Sequence, residues 1–253
     1  MNLKKQNISV LEGNDPSFKP LTLFHLMRYI DLGTITPEES ASIDKTVFEA
    51  RNKGLVEDTL HIYFRDKPTI SLGRFKNMDT DLYPLPENIS IIRRISGGST
   101  ILTGPDQLIF AVTLGEKIPN RNDSFELICN GIIRALAHLN INAEYKPVND
   151  VLVAGKKISG SAQYRNSNCM IQHGTLLIKT PSIDEVLRPV KHSTYNGLTS
   201  IYDLLDHIPE RSKITNAVSL GFSEALNTTM EQSSLSRWEK DRAEALKKEV
   251  LDL

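Results

Sequence analysis

Two short stretches carry the residue types that chemistry on an anion needs. Residues 93–100 read RRISGGST, and residues 149–161 read NDVLVAGKKISGS. In the first, a glycine pair at a strand end exposes backbone N–H groups, and such a loop can wrap an anion. Arg93 and Arg94 add fixed charge, and Ser96 and Ser99 add hydroxyls. Alternate residues of a strand face opposite sides, so at most one of the two arginines faces a cleft. In the second stretch, Val151, Leu152 and Val153 lead into a Gly-Lys-Lys turn. Lysines on a turn between strands present a cation, and Ser159, Gly160 and Ser161 let a ligand approach the backbone closely. Each stretch alone also reads as a plain turn with solvated charge. Together they read as walls of one anion-binding cleft.

Neither stretch is a standard nucleotide motif. The P-loop spacing G-x-x-x-x-G-K-S/T is absent, and no G-x-G-x-x-G opens a helix here. Residues 72–77, LGRFKN, again set a cation, Arg74, behind a glycine at a strand end. An ordinary strand exit is the plain alternative. His173, Gly174 and Thr175 fall inside a strand pattern, where His173 either positions a partner or is a satisfied sheet histidine. His25, His61, His138, His192 and His207 show no metal-ligand spacing and read as structural or surface. Cys129 and Cys169 are the only cysteines. Two are too few for a disulfide scaffold or a structural zinc site, and both read as buried thiols.

The elements that must hold these residues follow from periodicity. An opening strand is expected over residues 21–32, after a polar lead-in over 1–19. Thr36, Pro37 and Glu39 spell a capping-box start for a helix that Gly54 ends. Strands are expected near 59–64, 69–72, 89–95, 100–102 and 108–114. A helix over 124–139 follows, capped by Asn122 or Asp123. Then come the hairpin at 149–161 and a strand over 170–179. A short helix capped by Ser182 and a single helical turn within 197–206 lead to two closing helices, 210–226 and 235–251. Hairpin-like spacing predicts an α+β fold, a mixed, mostly antiparallel sheet flanked by α-helices. One domain over 20–253 is the expected count.

Composition narrows the class. The 253 residues carry a formal net charge of -1, so no global basic field points to nucleic acid. No run approaches the ~20 apolar residues of a membrane span. No apolar leader follows the first residues, and a reducing cytoplasm is the expected compartment.

GRFKN, RRISGGST, NDVLVAGKKISGSAQ and HGTLL stand in this order and at these separations in the lipoate–protein ligase A family, which the chain resembles over about residues 21–226. The last two motifs together are specific; each alone is not. That family groups with biotin–protein ligases and octanoyltransferases. The resemblance implies a deep tunnel for the dithiolane and acyl chain, and a two-step reaction. Lipoate and ATP give lipoyl-AMP and pyrophosphate. A lysine of an acceptor then takes the acyl group as an amide, releasing AMP. Acceptors are the lipoyl domains of 2-oxoacid dehydrogenase complexes or the glycine cleavage H-protein. The resemblance makes Lys157 the catalytic lysine, bridging the lipoyl carbonyl and the α-phosphate. Arg94 matches the arginine that touches the nucleotide. Ser96, Gly97 and Gly98 match the ligand-facing loop, and Ser99, Thr100, Ile101 and Leu102 continue along the nucleotide. Asn149 and Asp150 match an Asn-Asp pair, with Asp150 the expected Mg²⁺ ligand. Arg74, Gly160, Ser161, His173, Gly174 and Thr175 match pocket positions. A carboxylate attacking a phosphate is repelled by like charge, which accounts for cations and Mg²⁺ there.

The sequence departs from the family at Ser99, where a third glycine usually stands, and at Thr103-Gly104, where a His-Asp pair is frequent. The long bacterial forms carry a C-terminal accessory domain for which no length remains here. A separate accessory ligase subunit is therefore an expectation. Three rivals stand beside the ligase. A cysteine-dependent octanoyl or lipoyl carrier-to-carrier transferase needs a thiolate near residues 147–150, where there is none. A biotin ligase needs a Gly-Arg-Gly-Arg loop, which is missing. A non-catalytic lipoyl-domain-binding module would have no use for Lys157 with the RRISGG loop. Lys146, Lys156 and Lys179 offer a rim for an acidic acceptor.

Overall fold

The computed structural model describes residues 25–84, 89–115, 120–181 and 197–251. The strands in chain order are β1 (His25–Ile35), β2 (Thr59–Arg65), β3 (Thr69–Leu72), β4 (Ser90–Arg93), β5 (Ile101–Thr103), β6 (Gln107–Gly115), β7 (Glu144–Lys146), β8 (Asp150–Val153), β9 (Lys156–Arg165), β10 (Cys169–Leu177) and β11 (Thr228–Gln232). The helices are α1 (Pro37–Asn52), α2 (Met78–Asp81), α3 (Arg121–Ala137), α4 (Ile201–Leu205), α5 (Arg211–Leu226) and α6 (Arg237–Leu246). Eight strands form one sheet in the order β11-β1-β2-β6-β10-β9-β8-β7, and β4-β3-β5 form a small second sheet. β1 runs parallel to both its neighbours, while β2, β6, β10, β9, β8 and β7 pair antiparallel. This is the mixed α+β design that the hairpin-like spacing predicts.

The large sheet is covered on both faces. Leu60, Ile62, Leu108, Phe110 and Val112 pack with Ile128, Ile132, Val218 and Phe222 of α3 and α5. The opposite pleat sends Ala111, Cys169 and Ile171 towards Phe48 of α1. Period-2 alternation in β2 therefore separates two buried environments rather than core from solvent. His61 and Tyr63 lie on the α1 side, and that side leads into the site.

Local signals set several boundaries as expected. Thr36 Oγ1 accepts from Glu39 N at 3.3 Å, and Glu39 Oε2 accepts from Thr36 N at 3.0 Å, which starts α1 at Pro37. α6 starts one residue after Ser236, whose hydroxyl accepts from Glu239 N. Glu239 is fully buried and also takes a two-pronged bond from Arg28 of β1, at 3.1 and 3.0 Å.

Other boundaries differ. α3 starts at Arg121, because Asn120 rather than Asn122 or Asp123 caps it, accepting from both Asn122 N and Asp123 N. The last helix ends at Leu246, and a 3-10 turn (Glu249–Leu251) follows. Strands β7 and β11 are absent from the periodicity reading. β11 (TTMEQ) has no apolar alternation, and its register comes from β1. The expected lead-in over 1–19, the start of the opening strand and the helix near Ser182 lie outside the described residues.

Candidate active site

Where the small sheet meets the large one there is a cavity of about 1010 Å³. Both sequence stretches reach it. β3 and β4 run parallel, so the LGR and RRIS exits leave their strands side by side. Arg74 N donates to Ser96 O at 2.8 Å and Arg94 N to Leu72 O at 3.0 Å. The two backbones are in contact: a Cβ on Gly73 would lie 2.2 Å from Gly98 O. Only glycine at 73 allows that approach, and Gly98 itself sits at φ +94.

Arg94 sits inside this loop. Its guanidinium donates to Ser71 O at 2.7 Å, Gly97 O at 2.7 Å, Ser99 O at 2.6 Å and Ser96 Oγ at 3.1 Å. Burial, and next the nearby Arg65, lower its pKa to about 10. Arg93 points the other way and ties down Lys76 O and Gly73 O. One arginine of the pair therefore lines the cavity, as strand alternation requires. Arg74 lies over the rings of Tyr164 and Phe75, at 4.8 and 5.7 Å from their centroids.

The hairpin forms the opposing wall. Its turn is Ala154-Gly155, both with positive φ, and the lysines lie beyond it on β9. This corrects the Gly-Lys-Lys turn. The pleat then separates them: Lys156 is exposed outside the cavity, and Lys157 lines it. Lys157 Nζ forms an ion pair with Asp150 Oδ1 at 2.6 Å. Gly160 makes room for this, since a Cβ there would lie 2.5 Å from both Lys157 Cε and Nζ. Asn149 closes the base of the hairpin. Its carbonyl accepts from Ser161 N at 3.0 Å, and its side-chain amide donates to Ser161 O.

Of the site residues predicted from sequence, Arg74, Arg94, Gly97, Gly98, Ser99, Thr100, Ile101, Leu102, Asn149, Asp150, Lys157, Gly160, Ser161, His173, Gly174 and Thr175 all line the cavity. Ser96 does not. It is fully buried beneath the loop, with its hydroxyl 2.6 Å from His173 Nε2. The expectation that Ser96 faces a ligand is corrected for that reason: its oxygen is turned inward, towards β10.

Behind His173 stands a residue that sequence reading missed. Asp44 of α1 takes His173 Nδ1 on Oδ2 at 2.6 Å, His61 Nε2 on Oδ1 at 2.8 Å, and the Tyr63 hydroxyl at 3.3 Å. Burial works against its ionisation, but the His173 and His61 hydrogen bonds outweigh it and hold its carboxyl well below the usual carboxylate range. With the Nδ1 proton fixed by Asp44, a neutral His173 leaves Nε2 to accept from Ser96. Ser96, His173 and Asp44 thus have the hydrogen-bond order of a hydrolytic triad. With Ser96 shut off from the cavity, the chain of bonds braces the glycine loop instead of attacking a substrate. An Asp on the buried stripe of α1, between Ile43 and Val47, was the available signal.

Asp44→Asn is expected to remove about 2–3 kcal/mol of stability, read as a fall in Tm. The group's contribution is fully present above the ordinary carboxylate pKa of about 4 and is lost as pH falls through the lowered folded value. The Tm gap between wild type and variant is therefore expected to hold from about pH 8 to 5 and to narrow below about 4. A gap that widens on acidification would contradict the assignment.

The cavity is strongly cationic in a chain of net charge -1. Among its charged lining residues seven are Arg or Lys (65, 74, 94, 121, 146, 157 and 165), and one, Asp150, is acidic. Among the described residues no three or more His, Cys, Asp or Glu side chains are arranged to hold a metal ion. Neither cysteine lines the cavity, and burial pushes both thiols up to about 12. No helix among the described residues is long and apolar enough to cross a membrane.

A mixed sheet with a glycine loop and a lysine hairpin across a cationic cleft is built to hold an anionic ligand. The chain belongs to the lipoyl protein ligase A/B catalytic domain family, whose model matches residues 36–223. It is 30% identical over 239 residues to an octanoyltransferase LipM of Oceanobacillus iheyensis, covering 79% of this chain and 86% of the relative. It is 31% identical over 138 residues to lipoate–protein ligase 1 of Staphylococcus aureus, covering 53% of this chain and 42% of that one. The fold matches a bipartite lipoate protein ligase of Thermoplasma acidophilum with a TM-score of 0.78 at 19% identity, over 88% of this chain and 92% of that one.

Proposed function

We propose that the chain is an ATP-dependent lipoate–protein ligase. It activates lipoate as lipoyl-AMP and transfers the lipoyl group to a lysine of an acceptor lipoyl domain or H-protein. The observation that carries this reading is the cleft itself, lined by seven cationic side chains against one carboxylate and by neither cysteine. Lys157 holds the substrate carboxylate against the α-phosphate and polarises the acyl carbonyl during transfer. The backbone N–H groups of the 97–98 loop face the anionic part of the ligand, and Arg94 keeps that loop in shape. Thr100, Ile101 and Leu102 flank the nucleotide, and Arg74 and His173 frame the pocket.

The side chains fit one Mg²⁺ ligand from protein. Asp150 Oδ1 is buried and has no hydrogen bond beyond its ion pair with Lys157. Mg²⁺ is commonly held by one or two carboxylates with phosphate oxygens, and when bound it neutralises phosphate charge. An acidic acceptor would meet Lys146, Lys156 and Lys179 at the rim.

The relatives named octanoyltransferase favour a second reading, transfer of octanoyl or lipoyl groups between carriers through a thiol. A thiol nucleophile attacks as thiolate, from a partly exposed and electropositive site. Cys169 is fully buried against Phe48, and Cys129 lies within α3. The double substitution Cys129→Ala with Cys169→Ala is expected to keep at least about half of wild-type activity, since neither thiol lines the cavity and Cys129 reaches it only as a buried hydrogen-bond partner of Ser161. Mass spectrometry of an apo acceptor domain incubated with ATP, Mg²⁺ and lipoate measures it. Modification without ATP, abolished by Cys169→Ala, would replace the ligase reading with the thiol one.

A further inference from the structure

Arg65 is the last residue of β2 and is 4% exposed, yet it lines the cavity. Among the described residues it meets no carboxylate. Its Nε donates to Ser40 Oγ at 3.1 Å and its Nη1 to Thr103 Oγ1, which leaves three of five N–H donors without a recorded partner. Arg94 is also buried, lines the same cavity and has no acidic partner among the described residues; its donors are spent on loop carbonyls and Ser96. Thr100, 6% exposed and on the same wall, has a buried hydroxyl oxygen with no hydrogen-bond partner. Asp44 is the buried carboxylate near Arg65, linked to it only through Ser40 and Tyr63 and already shared by two histidines; two buried guanidinium charges without a direct partner are costly. Such a site becomes favourable when an anion fills it.

We propose that Arg65, with Arg94 and Thr100, forms an inner subsite for the phosphate tail of a nucleoside triphosphate. This rests on the ligase reading for its occupant. A single carboxylate does not balance two guanidinium charges, whereas a di- or triphosphate does. The planar fork of Arg65 suits phosphate oxygens two at a time. Arg94 contributes field, since its donors are engaged, and Arg65 contributes the free N–H groups. Arg65 is thereby separated in role from Lys157, which serves the carboxylate and the α-phosphate at the hairpin wall.

Calorimetric titration of the full chain with inorganic pyrophosphate, ATP and AMP tests this, beside thermal melts without ligand. Arg65→Met is expected to melt no lower than wild type, because the unpaired charge is gone. It is expected to bind pyrophosphate and ATP about tenfold more weakly or worse, and AMP within about twofold. Unchanged pyrophosphate affinity overturns the subsite, as does equal weakening for AMP or a wild type that binds no pyrophosphate. If Arg65→Met does not fold, Arg65→Lys decides. It keeps charge without the fork, so selective weakening of pyrophosphate supports the subsite and unchanged affinity overturns it. Lipoate-dependent ATP–pyrophosphate exchange by the wild type separates the two readings. No exchange with Arg65-dependent pyrophosphate binding sinks the ligase and leaves the subsite. Normal exchange with Arg65-independent binding sinks the subsite alone.

Discussion

Lys157→Ala is expected to lower acceptor modification about a thousand-fold, on the scale set by removing a preorganised charge from a developing oxyanion. The fold is expected to survive. The Lys157–Asp150 pair is partly exposed, with side chains 37% and 23% accessible, and pairs of that kind contribute about 1 kcal/mol or less. Tm is therefore expected to move little while turnover collapses, a split that a structural lysine would not produce. Lys156→Ala separates the two lysines: its side chain lies outside the cavity, on the rim assigned to the acceptor, so its removal is expected to raise the KM for acceptor a few-fold and to leave kcat within about twofold of wild type. Measuring acceptor mass and Tm on the same preparations checks both. Unchanged modification in Lys157→Ala would remove the central residue from the mechanism.

Gly160→Ala is the second large effect. The new methyl carbon would lie 2.5 Å from Lys157 Nζ and Cε and 3.2 Å from Asp150 Oδ1. All three of these neighbours are side-chain atoms, so the backbone need not move. The lysine must leave its position instead. A displacement near 1 Å at a reacting group costs on the order of 100-fold in rate. Activity is expected to fall by about that factor, with Tm within a few degrees of wild type. Kinetics with lipoate as the varied substrate would show the loss in kcat. A variant with wild-type kcat would mean that Lys157 does not work from the position it holds beside Asp150.

Much of this site is legible from short-range features. The glycine loop and the lysine hairpin are each set within about a dozen residues, so their residue types announce them. Strand alternation predicts that one of Arg93 and Arg94 lines the cleft, and Arg94 does. The same alternation places Lys157 inside and Lys156 outside, although the turn lies one step earlier than Gly-Lys-Lys implies. Capping chemistry marks the start of α1 to the residue, because Thr36 and Glu39 are three positions apart and bond each other.

What the amino-acid order could not announce is what forms across long separations. Asp44 meets His173 across 129 positions, and Arg65 meets Thr103 across 38. Its place between Ile43 and Val47 puts Asp44 on the buried stripe of α1, but only packing of α1 on β2 and β10 sets it between two histidines. Ser96 shows the same limit in reverse. Its place in RRISGGST points to a ligand, and the sheet turns its hydroxyl towards His173 instead. β11 acquires its strand conformation from β1, which lies some 200 residues earlier. By itself, then, the order of residues determined the two cleft walls, since hydrogen bonding and pleating act over a few residues. Tertiary structure decided which charges are buried without partners and which polar groups brace the loop. Desolvation depends on everything packed around a group, and sequence neighbours are the smaller part of that.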